Sequence, residues 1–332
     1  MKVLMTSILC RSGLMTHVHD LIQFCRRNSV MAAAAFQKTD FVTREQAEAL
    51  KQHLGDIPIW EYERESELAD IAAQAECDLI HAHSYLTFNA ARAAAEQTGV
   101  PLILTLHSVY PWAAFFWDAL SRAERIIAVG PAQARYTGPW RRKTVIIPNG
   151  VDITRFCPKQ GRAGKEIKLL WYGRVNGRLS RGLAALDELA PQLPAFIKIE
   201  GLGEADIKLK NIVLKEWTED PVSTLQESHI TFAHGRSLRE AMACGSAGML
   251  IGHGYGGTIT RQRLAQLNYV VDAFPQYHLP RPRPEEILRD ILELIESGSL
   301  EAIRAEARHI AEEHFSLELM GRRTLEVYAA AA

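Results

Sequence analysis

The chain lacks most of what would mark a membrane, secreted or nucleic-acid-binding protein. No apolar run reaches the roughly eighteen residues that a bilayer span needs. Its 38 lysines and arginines are matched by 39 aspartates and glutamates, so the formal charge is −1 and no basic field exists to hold nucleic acid. Cys10, Cys25, Cys77, Cys157 and Cys244 stand far apart, with neither a CxxC pair nor a framework spacing. Such thiols fit a reducing, cytoplasmic setting. Met1-Lys2-Val3-Leu4-Met5 reads directly as a strand and lacks the regions of a signal peptide. No GxGxxG follows a strand with an acidic residue about twenty positions on, which argues against a nicotinamide dehydrogenase.

What is present is a regular alternation. Short apolar runs near residues 3–7, 31–35, 78–81, 102–106, 125–129 and 145–147 predict strands. Helical patterns at 16–27, 45–54, 68–76 and 88–98 lie between them. Alternation of this kind means βαβ units and a parallel sheet covered on both faces. A turn cluster at 147–152 and a polar stretch at 157–165 then interrupt it, as a linker would. The pattern resumes with strands predicted at 168–172, 196–200, 212–215, 230–233, 248–251 and 269–272, and closes with helices at 284–297, 300–314 and 317–328. A chain of 332 residues supports two domains of roughly 150 residues each. The predicted fold is α/β, with two Rossmann-like doubly wound sheets facing a cleft. The domains are expected at 1–155 and 156–315, with residues 316–332 packing back on the first.

The segment 231–257, TFAHGRSLREAMACGSAGMLIGHGYGG, carries the clearest chemical signal. An apolar run meets the turn Gly235-Arg236-Ser237, a short helix follows, and a second glycine cluster comes after. A helix start offers unpaired N–H groups and partial positive charge, which suit a phosphate. Ligands of open parallel sheets bind beyond the carboxyl ends of strands. Gly13, His17, His81, His83, His107, Arg174 and Glu240 all fall just after, or at the end of, a predicted strand.

With these residues the chain resembles the retaining, nucleotide-sugar-dependent glycosyltransferases of GT-B architecture, the group that includes sucrose synthase and bacterial mannosyl- and glucosyltransferases. The resemblance runs through Ser12-Gly13-Leu14-Met15-Thr16-His17, Asp78-Leu79-Ile80-His81-Ala82-His83, Leu104-Thr105-Leu106-His107, Ile147-Pro148-Asn149-Gly150-Val151-Asp152, Tyr172-Gly173-Arg174 with Arg181-Gly182, and Leu238-Arg239-Glu240-Ala241-Met242-Ala243-Cys244-Gly245. It implies transfer of a hexose-type sugar from a UDP or GDP donor to a hydroxyl acceptor, small or lipid-linked. No cofactor and no metal are implied, and no Asp-x-Asp clamp stands in the expected loop. Arg174 and Arg181 would grip the diphosphate. Gly235, Ser237 and Leu238 would add backbone donors at the helix start, and Gly13 would approach the sugar phosphate. Glu240 would bind the ribose, His107 would contact the transferred sugar or the acceptor, and the loop at Trp217 would help to read the base. The partners implied are the donor and the acceptor, with no nucleic acid, peripheral membrane contact left open, and a monomer or homodimer.

Departures from the family pattern set the alternatives. The first carboxylate of its glutamate pair is replaced by Phe232, which leaves the donor sugar open; His234 is a partial substitute or an ordinary loop residue. Arg181 stands where relatives usually carry lysine. Ser237-Leu238-Arg239-Glu240 also reads as a helix capping box. Tyr110, Trp112, Phe115, Phe116 and Trp117 are either core or an aromatic wall facing the acceptor. His81 and His83 share a strand face but find no third ligand in the sequence. A nucleotide-sugar epimerase, or a relative that binds the donor without turnover, is the competing reading.

Overall fold

The computed structural model describes the chain except residues 11, 160–165, 217, 219 and 332 and the side chain of residue 53. It contains two compact units, Met1–Asn149 with Leu317–Ala332, and Gly150–Ser316.

In the first unit the elements are β1 (Lys2–Ile8), α1 (Gly13–Arg27), β2 (Met31–Gln37), α2 (Arg44–His53), β3 (Ile59–Tyr62), α3 (Glu67–Gln74) and β4 (Leu79–Ala82). They continue with α4 (Phe88–Thr98), β5 (Leu102–Leu106), α5 (Trp112–Phe115), α6 (Trp117–Arg122), β6 (Arg125–Ala128), α7 (Pro131–Ala134) and β7 (Thr144–Ile146). The strands form one sheet in the order β3-β2-β1-β4-β5-β6-β7, every pairing parallel. Both faces are covered, and alternate side chains show it. Leu102, Leu104 and Leu106 of β5 enter the core under α3 and α4, while Ile103 enters the core under α1. Continuous apolar strands are the signature of a sheet buried on both sides.

The second unit comprises β8 (Ile167–Val175), α8 (Arg181–Leu189), β9 (Ile197–Ala205), β10 (Leu214–Lys215), α9 (Val222–Glu227), β11 (Ile230–Ala233) and α10 (Gly235–Ala243). Then come β12 (Ala247–Ile251), β13 (Tyr255–Thr258), α11 (Arg261–Gln266), α12 (Pro284–Glu296) and α13 (Leu300–His314). Its sheet order is β10-β9-β8-β11-β12-β13, parallel except for the antiparallel β13. The last helix, α14 (Leu317–Ala329), belongs to the first unit, where Met320 and Tyr328 join the core beneath α1. No helix among the described residues is long and apolar enough to cross a membrane.

Two readings of the sequence need correction. The strand expected at 269–272 does not form, because Asn268 (φ 51°) and Tyr269 (φ 60°) adopt left-handed backbone. Val271 and Ala273 instead accept hydrogen bonds from the N–H groups of Gly235 (2.7 Å) and His253 (2.9 Å), so the segment straps the starts of two loops. The edge strand is β13, made of Tyr255-Gly256-Gly257-Thr258. Ile59–Tyr62, for which the sequence pattern predicts no strand, pairs in parallel with β2. Most of the polar stretch at 157–165 lies outside the described residues.

Candidate functional site

At the carboxyl ends of the first sheet, α1 starts at Gly13 with Ser12 extended before it and no acidic residue in its first turn. That leaves the helix start electropositive. One turn on, His17 is buried against His83 and His107, with ring centroids 5.2 and 4.7 Å away. His83 Nδ1 and His107 Nε2 are 3.4 Å apart. One nitrogen from each of the three rings lies within 4.8 Å of the others, a donor set able to hold a metal ion. His83, on β4's continuation, and His107, after β5, were both expected at strand ends; their meeting with His17 was not. His81, which shares a strand face with His83, is not part of this donor set. His81 Nδ1 meets the Tyr328 hydroxyl and Nε2 meets Thr105 Oγ1, both at 2.7 Å, so its ring ties α14 to the sheet.

Burial decides the charge of this cluster. It lowers the pKa of His81 to about 3, assisted by His107. His107 is also lowered to about 3 by burial, and His83 falls well below the ordinary value through burial and its histidine neighbours. The imidazoles of His83 and His107 are therefore neutral at pH 7, able to exchange single hydrogen bonds with hydroxyl groups or to ligate metal.

In the second unit the site residues gather at the carboxyl ends of β8, β11 and β12. Helix α10 starts at Gly235, whose φ of 62° and N–H bond to Val271 turn the chain out of β11. His234 occupies the capping position in extended backbone, without a side-chain cap. Ser237 is thus inside the first turn, and the capping box predicted for Ser237 and Glu240 does not form. Leu238 is wholly buried, so only its main chain could meet a ligand. His234 Nδ1 is buried without a hydrogen-bond partner among the described residues, and its ring meets Phe274 edge-on at 5.1 Å.

Glu240 is 6% exposed and has two partners that sequence reasoning did not assign. Arg236 Nε donates to Oε1 at 2.7 Å, and the Tyr172 hydroxyl donates to Oε2 at 2.9 Å. Burial and the Glu240 charge both push the Tyr172 pKa up, which keeps its hydroxyl a donor. Spacing of four residues on one helix could have revealed Arg236. Tyr172, at 68 residues' distance, had no local signal.

Arg174, on β8, pairs with Glu204 of β9 at 2.9 Å; the two side chains are 39% and 46% exposed. Arg181 opens α8, is exposed, and makes no ion pair among the described residues. Its position is set on both sides. Asp206 accepts from Gly177 N–H (2.6 Å) and Ser180 Oγ, bracing the turn before α8. Gly182 donates to Gly252 O at 2.9 Å, and a Cβ on it would lie 2.6 Å from Ile251 Cγ1, so only glycine lets α8 approach β12 this closely. A Cβ on Gly173 would lie 3.8 Å from Ser237 Oγ, which sets the end of β8 beside the α10 start. Phe232 is fully buried in the core under α8 and α12, so no carboxylate takes the missing position of the pair. Trp217 lies outside the described residues.

The aromatic stretch after His107 divides between core and surface. Trp112 is core, whereas Phe115 and Trp117 are 62% and 53% exposed.

Comparisons with known proteins fit this arrangement. Residues 11–155 match the family model of Glycosyltransferase Family 4. No curated protein matches the chain. Among solved structures, Anabaena Alr3699/HepE in complex with UDP superposes with a TM-score of 0.74 at 17% identity, covering 99% of this chain and 100% of that one. The same Anabaena protein has also been solved with UDP-glucose. A glycosyltransferase from Rickettsia africae ESF-5 gives a TM-score of 0.74 at 16% identity, with 98% and 97% covered. A Listeria monocytogenes protein provisionally named UDP-N-acetylglucosamine 2-epimerase gives 0.63 at 11%, with 99% and 96% covered. At such identities the likeness is one of fold, two α/β units of the GT-B kind. The family match and the fold together support a glycosyltransferase superfamily.

Proposed function

We propose that the chain is a glycosyltransferase that takes a hexose-type sugar from a UDP or GDP donor and passes it, with retention, to a hydroxyl acceptor that is small or lipid-linked. The observation that carries this reading is that Arg174 on β8, Arg181 at the start of α8 and the α10 start with buried Glu240 all stand at the carboxyl ends of the second sheet's strands, the end of β8 lying beside the α10 start. Arg174 and Arg181 offer fork-shaped donors to phosphate oxygens, and the N–H groups of Gly235, Ser237 and Leu238 add partial positive charge. Charge that grows on a departing diphosphate is stabilised by such groups, which replaces what a metal would do there. Glu240, oriented by Arg236 and Tyr172, retains lone pairs for the ribose hydroxyls. By the resemblance, Gly13 of the first unit is assigned to the sugar phosphate and His107 to the transferred sugar or the acceptor. Retention follows from the resemblance, as same-face displacement without an enzymatic nucleophile. With Phe232 in the core, His234 is assigned to meet the sugar in its place.

Calorimetry with UDP and GDP tests the donor half. Arg174→Ala should weaken diphosphate binding about tenfold or more, as loss of a charge-assisted bidentate contact does, and Glu240→Gln should lose the preference for nucleotide over inorganic diphosphate. Equal affinity of Arg174→Ala and parent removes the assignment. Turnover should yield free nucleotide together with a glycoside and should persist in chelator; product formed without an acceptor would favour the epimerase reading.

A further inference from the structure

Several exposed large apolar side chains stand far apart in the chain, as Met31, Phe41, Phe196 and Val213 do. Single residues of this kind need no explanation, whereas a contiguous exposed patch does. One such patch lies on the first unit. Phe115 (62% exposed) and Trp117 (53%) project from α5 and α6, and Tyr85 and Tyr136 are each 42% exposed. Ring contacts join much of it: Tyr85 stacks on Tyr110 at 5.9 Å, Tyr110 meets Phe115 at 5.1 Å, and Trp117 meets Trp140 edge-on at 4.4 Å.

The segment that carries Tyr136 and Trp140 is cationic. Trp140 belongs to a run of 3-10 turns, Arg135–Lys143, whose end is fixed to the end of α6 because Lys143 Nζ donates to Ser121 O (2.9 Å) and Ala123 O (2.5 Å). Arg135, Arg141 and Arg142 on this run are exposed, and none makes an ion pair among the described residues. Three other arginines of the unit, Arg64, Arg92 and Arg122, are paired with Glu67, Glu96 and Glu124. Between Tyr110 and Lys143 the only acidic residues are Asp118 and Glu124, against six lysines and arginines, in a chain whose net charge is −1. Exposed tryptophan and phenylalanine beside unmatched arginines is the composition of a surface that rests at a lipid headgroup layer.

We propose that this face docks the chain on an anionic membrane, with Phe115 and Trp117 at headgroup depth and Arg135, Arg141 and Arg142 on lipid phosphates. None of these residues belongs to the nucleotide set, so the proposal stands apart from the donor reading. An acceptor wall would ask less of Phe115, which has no polar tip for a sugar and is the most exposed of these rings.

Vesicle sedimentation of the full chain tests it. The protein should sediment with vesicles containing about one-third phosphatidylglycerol and stay in solution with pure phosphatidylcholine, and tryptophan emission should shift to the blue on binding. Arg141→Ala with Arg142→Ala should lower partitioning about 25-fold, roughly fivefold for each arginine near an anionic surface. Phe115→Ser with Trp117→Ser should lower it at least as far, and UDP affinity should be unchanged in both double variants. The proposal is overturned if the parent ignores anionic vesicles, if either double variant binds them as the parent does, or if phosphatidylcholine serves equally well. It is equally overturned if the parent is a dimer in ultracentrifugation that Trp117→Ser dissociates without altering vesicle binding, since a second copy then covers the patch.

Discussion

At the carboxyl ends of β4 and β5 the first unit gathers imidazoles that burial keeps neutral. At the ends of β8, β11 and β12 the second unit gathers guanidinium groups near one buried, doubly hydrogen-bonded carboxylate. The first arrangement has little net charge to offer and suits hydroxyl-bearing groups. The second holds fixed positive charge and suits a diphosphate. Each unit's site is made from the same part of the same topology, so what separates them is which side chains the strand ends deliver and how far burial strips them of charge.

The largest expected effect concerns Phe232. If the second site could be converted to the two-carboxylate form by one change, Phe232→Glu would gain function. The ring is instead fully buried among Leu169, Leu183 and Ile251, where a carboxylate would have no partner. An uncompensated buried charge costs on the order of 3–5 kcal/mol, so Phe232→Glu should melt far below the parent by calorimetry. Phe232→Leu should lose only about 1 kcal/mol. A Phe232→Glu chain with the parent's melting temperature and faster turnover would mean that β11 can turn this side chain toward the donor.

Acid should separate the two units. His81 has its folded pKa depressed to about 3, and His83 lies well below its usual value, both chiefly through burial. An unfolded histidine titrates near 6.5, so between about pH 6.5 and 3 the unfolded chain binds the extra protons. Stability from these groups is complete above about 6.5 and falls with acid, by up to about 1.4 kcal/mol per pH unit for each. In the second unit, Asp206 is held below its usual range by Gly177 N–H and Ser180. For Asp187 burial works the other way, yet the N–H groups of Lys210, Asn211 and Ile212 prevail and lower it. Their contribution is lost only as the pH drops below about 4. In the second unit His234 is lowered by burial, with Asp272 opposing. Hydrogen exchange at pH 5 should therefore open β4, β5 and α14, joined through His81 and Tyr328, before β8 and β11. Loss of protection in the reverse order would show that the histidines are hydrated.

Much of the fold was legible because buried parallel strands are uninterrupted apolar runs. β5, β11, α4 and α13 begin and end where periodicity places them. What escaped was structure at sheet edges. Ile59-Trp60-Glu61-Tyr62 is mostly half-buried, so it never reads as a core strand. Tyr255–Thr258 has two glycines and a shift in register, which looks like a turn in one dimension. For the site, residue type and position after a strand were enough to nominate Gly13, His107, Arg174 and Glu240, whereas Arg181 came only from the family resemblance. Their partners were not legible, since His17 and His83 lie 66 residues apart, and Tyr172 and Glu240 lie 68 apart. The α10 start was misplaced by two residues because the bond from Gly235 N–H to Val271 O, across 36 positions, decides it.

The smallest expected effect sharpens the second site's side of the comparison. Arg174 is joined to Glu204 in a pair of which each member is more than one-third exposed. Such a pair contributes about 0–1 kcal/mol, so a diphosphate could recruit the guanidinium at little expense. The carboxylate would also repel an approaching phosphate. Glu204→Gln keeps the shape and removes both penalties, and it should tighten UDP binding by about two- to fivefold at low salt. The gain should shrink as ionic strength rises, because the pair is open to screening. Calorimetry across a salt series would show it. Weaker binding in Glu204→Gln would mean that the carboxylate aims Arg174 at the ligand, and the same geometry would then be orientation in place of competition.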